Sequence, residues 1–235
     1  MSSNNLYNKI NDLPNNCVEI VILNPNTKSQ SQGKSQLVII PGFSDSSFEC
    51  NYKTLFVNYS FKLPTTQFEK ILLVKFTNNT VYNLHQEILK LNENTDSDQI
   101  AHLENRLYEK CGQIIFDKLV ITDSSQTYSV LAKSAGAGPG IFLCNSHPEN
   151  FIKLNLFAPG VKYIHKSIKR VCEQFPKTIV GWNCTDSKVK LVDVWFKLTD
   201  VLPNSTVLHT YYYPDSSSEF DTQNEINTGF FDKIT

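Results

Sequence analysis

Ser134 stands where residue types and spacing could present a nucleophile. The stretch Tyr128 to Gly140 reads Y-S-V-L-A-K-S-A-G-A-G-P-G. A β-prone apolar run, Tyr128 to Leu131, leads into a small-x-Ser-x-small pattern formed by Ala132, Ser134 and Gly136, and the apolar segment Ile141 to Cys144 follows. This is the pattern of a sharp strand-to-helix turn that lifts a serine hydroxyl clear of the backbone. The positions two before and two after must be small because strand and helix backbones nearly touch there. Pro139 is compatible with a helix starting near Ala135 or Gly136, because first-turn N–H groups have no intrahelical acceptor. The plainer reading is a Gly/Ala-rich turn. A dinucleotide-binding loop is a poorer fit, since G-x-G-x-x-G requires glycine at 141, where Ile141 stands.

Such a serine needs flanking strands and helices to hold it. Cys17 to Leu23, Gln36 to Ile40, Phe68 to Phe76, Tyr128 to Leu131, Ile152 to Pro159, Thr178 to Trp182 and Ser205 to Tyr213 read as strands. Helical spacing runs from about Leu84 to Val120, broken in the polar stretch Asn92 to Asp98. It recurs in Tyr163 to Phe175 as a basic amphipathic helix, in Leu191 to Leu198, and in a short closing helix from Asn224 to Ile234. Residues 1–15 are polar and read as an irregular lead-in; 16–235 read as one domain. Alternating strands and helices predict an α/β fold with a mostly parallel sheet and helices on both faces.

Composition narrows the function. The chain has 235 residues, 40% hydrophobic and 19% charged, with a formal net charge of −1. That is the profile of an ordinary globular protein, with no basic excess for a nucleic-acid partner or an anionic membrane surface. No apolar run approaches the roughly 20 residues of a membrane span, and the N-terminus lacks the apolar core of a signal peptide. A cytoplasmic location is therefore expected. Six cysteines without a C-x-x-C spacing read as reduced thiols. No His/Cys/Asp spacing suggests a metal site, and no cofactor is implied.

In a parallel sheet the ligand crevice lies at the carboxyl ends of the strands. The segments there are Pro41-Gly42-Phe43, Ser134, Asp186 within V-G-W-N-C-T-D-S-K-V, and Asp215 to Asn224. In this order they resemble the α/β-hydrolase fold family, esterase- or thioesterase-like and lidless, whose triad runs Ser, acid, His along the chain. The resemblance covers Cys17 to the C-terminus. It implies Ser134 as nucleophile, Asp186 as acid, and the N–H groups of Phe43 and Ala135 as oxyanion donors. Ala132 stands where the family most often has glycine, and Pro41 replaces the histidine of its His-Gly pair. Taken alone, Asp186 also reads as an Asx-turn or helix-capping residue. About 20 residues separate Pro159 from Thr178, room for one helix but not a lid domain. The pocket is thus expected to be shallow and open, taking a small or extended acyl ester or thioester.

The family places its histidine just before the closing helix, where this chain has Asn224. An amide does not take up a proton near neutral pH, so Asn224 cannot be the general base. His209, within S-T-V-L-H-T-Y-Y-Y, is the alternative base, against a reading as a packed mid-strand residue. His147 and His165 would break the family order, and His85 and His102 read as helix-surface residues. Three readings stand at this level: a serine ester or thioester hydrolase, a hydrolase scaffold impaired at Asn224 that binds a ligand or a protein, and a non-hydrolase α/β binding protein. The sequence leaves the oligomeric state open.

Overall fold

The computed structural model describes residues 3–23, 35–43, 68–91, 96–122, 126–184, 186 and 189–211. Seven strands form one sheet: β1 (Val18–Leu23), β2 (Gln36–Ile40), β3 (Ile71–Phe76), β4 (Tyr128–Lys133), β5 (Phe151–Phe157), β6 (Lys177–Asn183) and β7 (Val207–Tyr211). Their spatial order is β1-β3-β2-β4-β5-β6-β7. β1 pairs antiparallel to β3, and every other neighbouring pair is parallel. Gln36 to Ile40 are buried without alternation, as are Tyr128 to Ala132. That is what a strand covered on both faces requires, and why these runs are apolar throughout.

Five α-helices are described: α1 (Ser3–Asn11), α2 (Thr80–Leu89), α3 (Ser97–Thr122), α4 (Ala137–Ser146) and α5 (Leu191–Thr199). The break expected between two long helical segments falls between Leu89 and Ser97. At 1.5 Å per residue, α3 is about 39 Å long. It buries Ile100, Leu103, Leu107, Cys111, Ile114 and Leu119 along one stripe and packs against α1, α2, α4 and β1. The closing helix expected over Asn224–Ile234 lies outside the described residues.

Two expectations are corrected. The lead-in is not irregular. α1 occupies most of it, with Leu6 and Ile10 fully buried against α2 and α3. Nine residues are too few for a helix to stand alone in water, so packing of this i, i+4 pair stabilises it, and two apolar positions are too few for periodicity to show. The second correction is at Tyr163 to Phe175, where the only helical backbone is a 3-10 turn, Ile164–Lys166. The apolar positions Ile164, Ile168, Val171 and Phe175 are buried as a helix would bury them. The run of local bonds stops at Ile168, however, and the next donors go to tertiary acceptors: Val171 N–H to the Val201 carbonyl at 3.0 Å and Cys172 N–H to Asn145 Oδ1 at 2.8 Å. Helical spacing was satisfied by a different chain path.

Among the described cysteines, Cys17, Cys111, Cys144, Cys172 and Cys184 are free thiols, and only Cys184 is exposed. Burial pushes the Cys17 thiol up to about 11 and holds Cys111 and Cys144 well above the usual range. Iodoacetamide at pH 8 followed by peptide mass mapping is therefore expected to modify Cys184 within minutes and these three only after denaturant is added. The packing of α1 sets a second test. Ile10→Ala should cost about 2–5 kcal/mol in urea unfolding, whereas a loss below about 0.5 kcal/mol would mean a solvent-exposed lead-in.

Candidate active site

β4 ends in a strained residue. Ser134 has φ +48°, one of four positive-φ non-glycine residues among those described. For a residue with a Cβ this conformation costs about 1–3 kcal/mol and persists only where the surroundings impose it. The chain turns there from strand into a 3-10 turn, Ser134–Gly136, which runs directly into α4. The amides at such a helix start have no acceptor one turn back, and Ala135 is the first after the serine. Ser134 itself remains partly exposed.

Close backbone approaches impose the turn. A methyl group built on Gly136 would stand 2.2 Å from the Pro41 carbonyl oxygen and 2.8 Å from that of Ile40. The elbow therefore rests on the end of β2. A methyl on Gly140 would reach 3.0 Å from the Ala132 Cβ, so a larger side chain at 132 would push α4 off β4. Small residues two before and two after Ser134 are thus a packing requirement. Beyond β5, Ala158 also has positive φ, at +40°, and the chain doubles back so that Gly160 N–H donates to the Ser134 carbonyl at 2.9 Å. Gly42 and Gly160 flank the serine side chain. A methyl on Gly42 would meet its Cβ at 3.4 Å, and one on Gly160 its Oγ at 3.5 Å. Gly160 was not foreseen, although Pro159-Gly160 repeats after β5 the Pro-Gly pair that ends β2.

Phe43 follows Gly42 in the turn beyond β2. Its side chain is buried, with the ring edge-on to Phe76 at 5.0 Å and to His85 at 5.2 Å. The loops after β2, β4 and β5 thus meet around Ser134. Asp186 lies three residues past the end of β6, two strands from β4, so about 10 Å away laterally at 4.8 Å per strand. Its Oδ1 accepts the Val189 N–H at 2.9 Å, and Trp182 Nε1–H donates to the Val189 carbonyl at 2.8 Å, which folds the loop back on the strand. This local side-chain-to-backbone bond spans three residues, one more than an Asx-turn, and α5 begins only at Leu191. Asp193 and Asp200 are exposed on and just beyond α5.

Several solved structures are similar to this one. A CIB-like hydrolase from Thermoplasma acidophilum aligns with a TM-score of 0.58 at 13% identity, over 92% of this chain and 98% of that one. Est1E from Butyrivibrio proteoclasticus aligns at 0.55 and 10%, over 92% and 91%. A dienelactone hydrolase from Anabaena variabilis aligns at 0.53 and 10%, over 93% and 96%. The chain has the α/β-hydrolase fold. No family model matches its sequence, and no curated protein does. In this chain the sheet carries one antiparallel edge strand, and a crossover puts β3 outside β2.

All five histidines lie among the described residues. His209 is mid-strand in β7, in register with Gly181, which is in register with Phe157 and that in turn with Lys133. It is level with the residue before Ser134 but three strands away, about 14 Å. His147 caps the far end of α4, stacked on Phe116 with centroids 3.4 Å apart. His165 sits in the 3-10 turn after Gly160, where burial first, and then the Lys197 and Lys166 ammoniums, hold its pKa below the usual value. His102 is exposed and stacked on Tyr7. His85 corrects the surface reading, being 8% exposed with its Nε2 3.3 Å from Glu104 Oε1. Among the described residues no hydrogen bond joins Ser134 Oγ to a histidine. Asn224 lies outside the described residues, as does the segment that follows β7. Among the described residues no group of His, Cys, Asp and Glu could hold a metal ion.

The contact of Gly136 with β2 is testable. Gly136→Ala should destabilise the fold by about 1–3 kcal/mol through overpacking against backbone that cannot move aside. The denaturation midpoint measures this, and an unchanged midpoint would mean that the elbow does not rest on β2.

Proposed function

We propose that the protein is a serine hydrolase acting on a carboxylic ester or thioester through an acyl-enzyme on Ser134. The observation that carries this reading is the strained, partly exposed serine at the junction of β4 and α4, with the loops after β2 and β5 packed around it. Ser134 Oγ attacks the acyl carbon. The carbonyl oxygen becomes an oxyanion, held by the N–H groups of Phe43 and Ala135, the latter at a helix N-terminus that also favours negative charge. A base takes the proton from Oγ, the oxyanion collapses, the bond to the alcohol or thiol breaks, and the base passes that proton to the leaving group. Water then attacks the acyl-enzyme by the same route in reverse order. Asp186 is the acid that orients the base. Access past Gly42 and Gly160 suits a small or extended acyl group.

The second reading is an impaired scaffold that binds an acyl ligand or a protein. It is favoured by the absence of a hydrogen bond from any of the five histidines to Ser134 Oγ, together with Asn224 at the sequence position of the family base. Without a triad member, oxyanion stabilisation and binding still give roughly 10³–10⁴-fold over water in serine proteases, so slow acylation is compatible with either reading.

Labelling with a fluorophosphonate probe separates them. If Asn224 occupies the base position, Asn224→His should raise the labelling rate about 10²–10⁴-fold, the usual contribution of general-base catalysis, and Ser134→Ala should abolish labelling. Rapid labelling of the unaltered chain, lost in Ser134→Ala, would instead mean a working base elsewhere. No labelling of any variant, in protein shown to be folded, would sink the serine-hydrolase reading.

A further inference from the structure

The helix layer behind Ser134 contains a buried polar cluster that the proposed chemistry does not use. Glu104 and His85 are 3% and 8% exposed, on α3 and α2, and Tyr108, one turn along α3 from Glu104, is fully buried. Glu104 Oε1 faces His85 Nε2 at 3.3 Å, while its Oε2 has no hydrogen-bond partner among the described residues. An apolar pair would fill such a space without the cost of desolvating a carboxylate. What the cluster touches is informative.

On one side it holds Phe43. The ring of Phe43 sits in a cage of Phe76, His85 and Tyr108, with centroid distances of 5.0, 5.2 and 6.0 Å. His85 and Tyr108 also pack against each other at 6.2 Å. On the other side it holds the elbow. The Tyr108 ring lies so close to α4 that a methyl on Gly138 would be 2.3 Å from it, and its hydroxyl donates to the Gly160 carbonyl at 3.4 Å. Gly160 in turn donates its N–H to the Ser134 carbonyl, and a methyl built on it would stand 3.4 Å from the Ala135 nitrogen. Burial, and then the Glu104 charge, keep the Tyr108 hydroxyl protonated by raising its pKa well above the usual value. The loop that would supply one oxyanion donor and the loop braced against the other therefore share one anchor.

We propose that Glu104, His85 and Tyr108 are positioning residues of the oxyanion site: they clamp the Phe43 side chain and the Gly160 carbonyl from behind, and so set where the Phe43 and Ala135 amides stand relative to Ser134. This rests on the serine-hydrolase reading. None of the three touches substrate. They act through the two loops, and a displacement of order 1 Å there is enough to cost about a hundredfold in rate.

The test uses the full chain, alone and with Asn224→His, carrying Tyr108→Phe or Glu104→Gln, with His102→Ala as the exposed control. Two readouts are taken: turnover of p-nitrophenyl acetate, and amide hydrogen exchange at Gly160. Both substitutions preserve shape, so melting temperatures should stay within a few degrees of the parent. The clamp predicts a fall in kcat of about ten- to a hundredfold with KM unchanged in both variants, faster exchange at Gly160 in Tyr108→Phe, and no effect of His102→Ala. A merely structural role would move kcat only with the melting temperature; that result, or parental kcat and exchange, overturns the proposal. If no form of the chain turns over, the hydrolase reading fails by itself and Gly160 exchange decides. Acceleration in Tyr108→Phe then supports the clamp, and unchanged exchange overturns it. Glu104→Gln carries the test if Tyr108→Phe does not fold.

Discussion

A serine held at positive φ exists only because neighbouring backbone leaves it no other conformation, and the rest of this structure is arranged to deny it one. Strain of about 1–3 kcal/mol is a sizeable part of a domain's net stability of about 5–15 kcal/mol. It is offset by the seating of Gly136 on the carbonyls of Ile40 and Pro41, by the fit of Ala132 to Gly140, and by the Gly160 N–H on the Ser134 carbonyl. None of these involves a functional side chain. The site is built from backbone meeting backbone, which is why glycine and alanine crowd the sequence around Ser134.

The sheet then acts as a ruler. Parallel strands β2, β4, β5, β6 and β7 all deliver their carboxyl ends to one edge, and lateral distance along that edge follows strand order. The same ordering brings the loops after β2 and β5 to Ser134, leaves Asp186 two strands off, and keeps His209 three strands off within β7. Whether a residue reaches that edge depends on where its strand ends. Asp186 lies beyond the end of β6; His209 is still inside β7.

Behind the edge, the helix layer is more than an apolar cover. α2 and α3 place a carboxylate, an imidazole and a phenol where the Phe43 ring enters the core and where the Gly160 carbonyl is met. Polar groups buried together constrain geometry more tightly than aliphatic ones, because their partners must be met at particular distances and angles. The third cluster member, Tyr108, also makes Gly138 a requirement, which ties the elbow helix to α3 as well as to β2.

The sequence alone determined the alternation of strands and helices, the run of buried parallel strands, the elbow at Ser134 with its small flanking residues, and the chain order of the loops at the sheet edge. These are local matters of periodicity, turn chemistry and backbone clearance, and each leaves its mark within a few residues. Tertiary structure alone decided the rest. It made a helix of Ser3–Asn11 by covering Leu6 and Ile10, and cut one short at Tyr163–Phe175, where the amides of Val171 and Cys172 meet Val201 and Asn145 instead. It buried His85, which helical spacing had left at the surface, against Glu104 nineteen residues away, and it brought Gly160 onto the serine from a different strand. Whether an amide bonds within its own segment, or a side chain meets a partner from another, depends on which elements arrive beside it, and no short window of sequence holds that information.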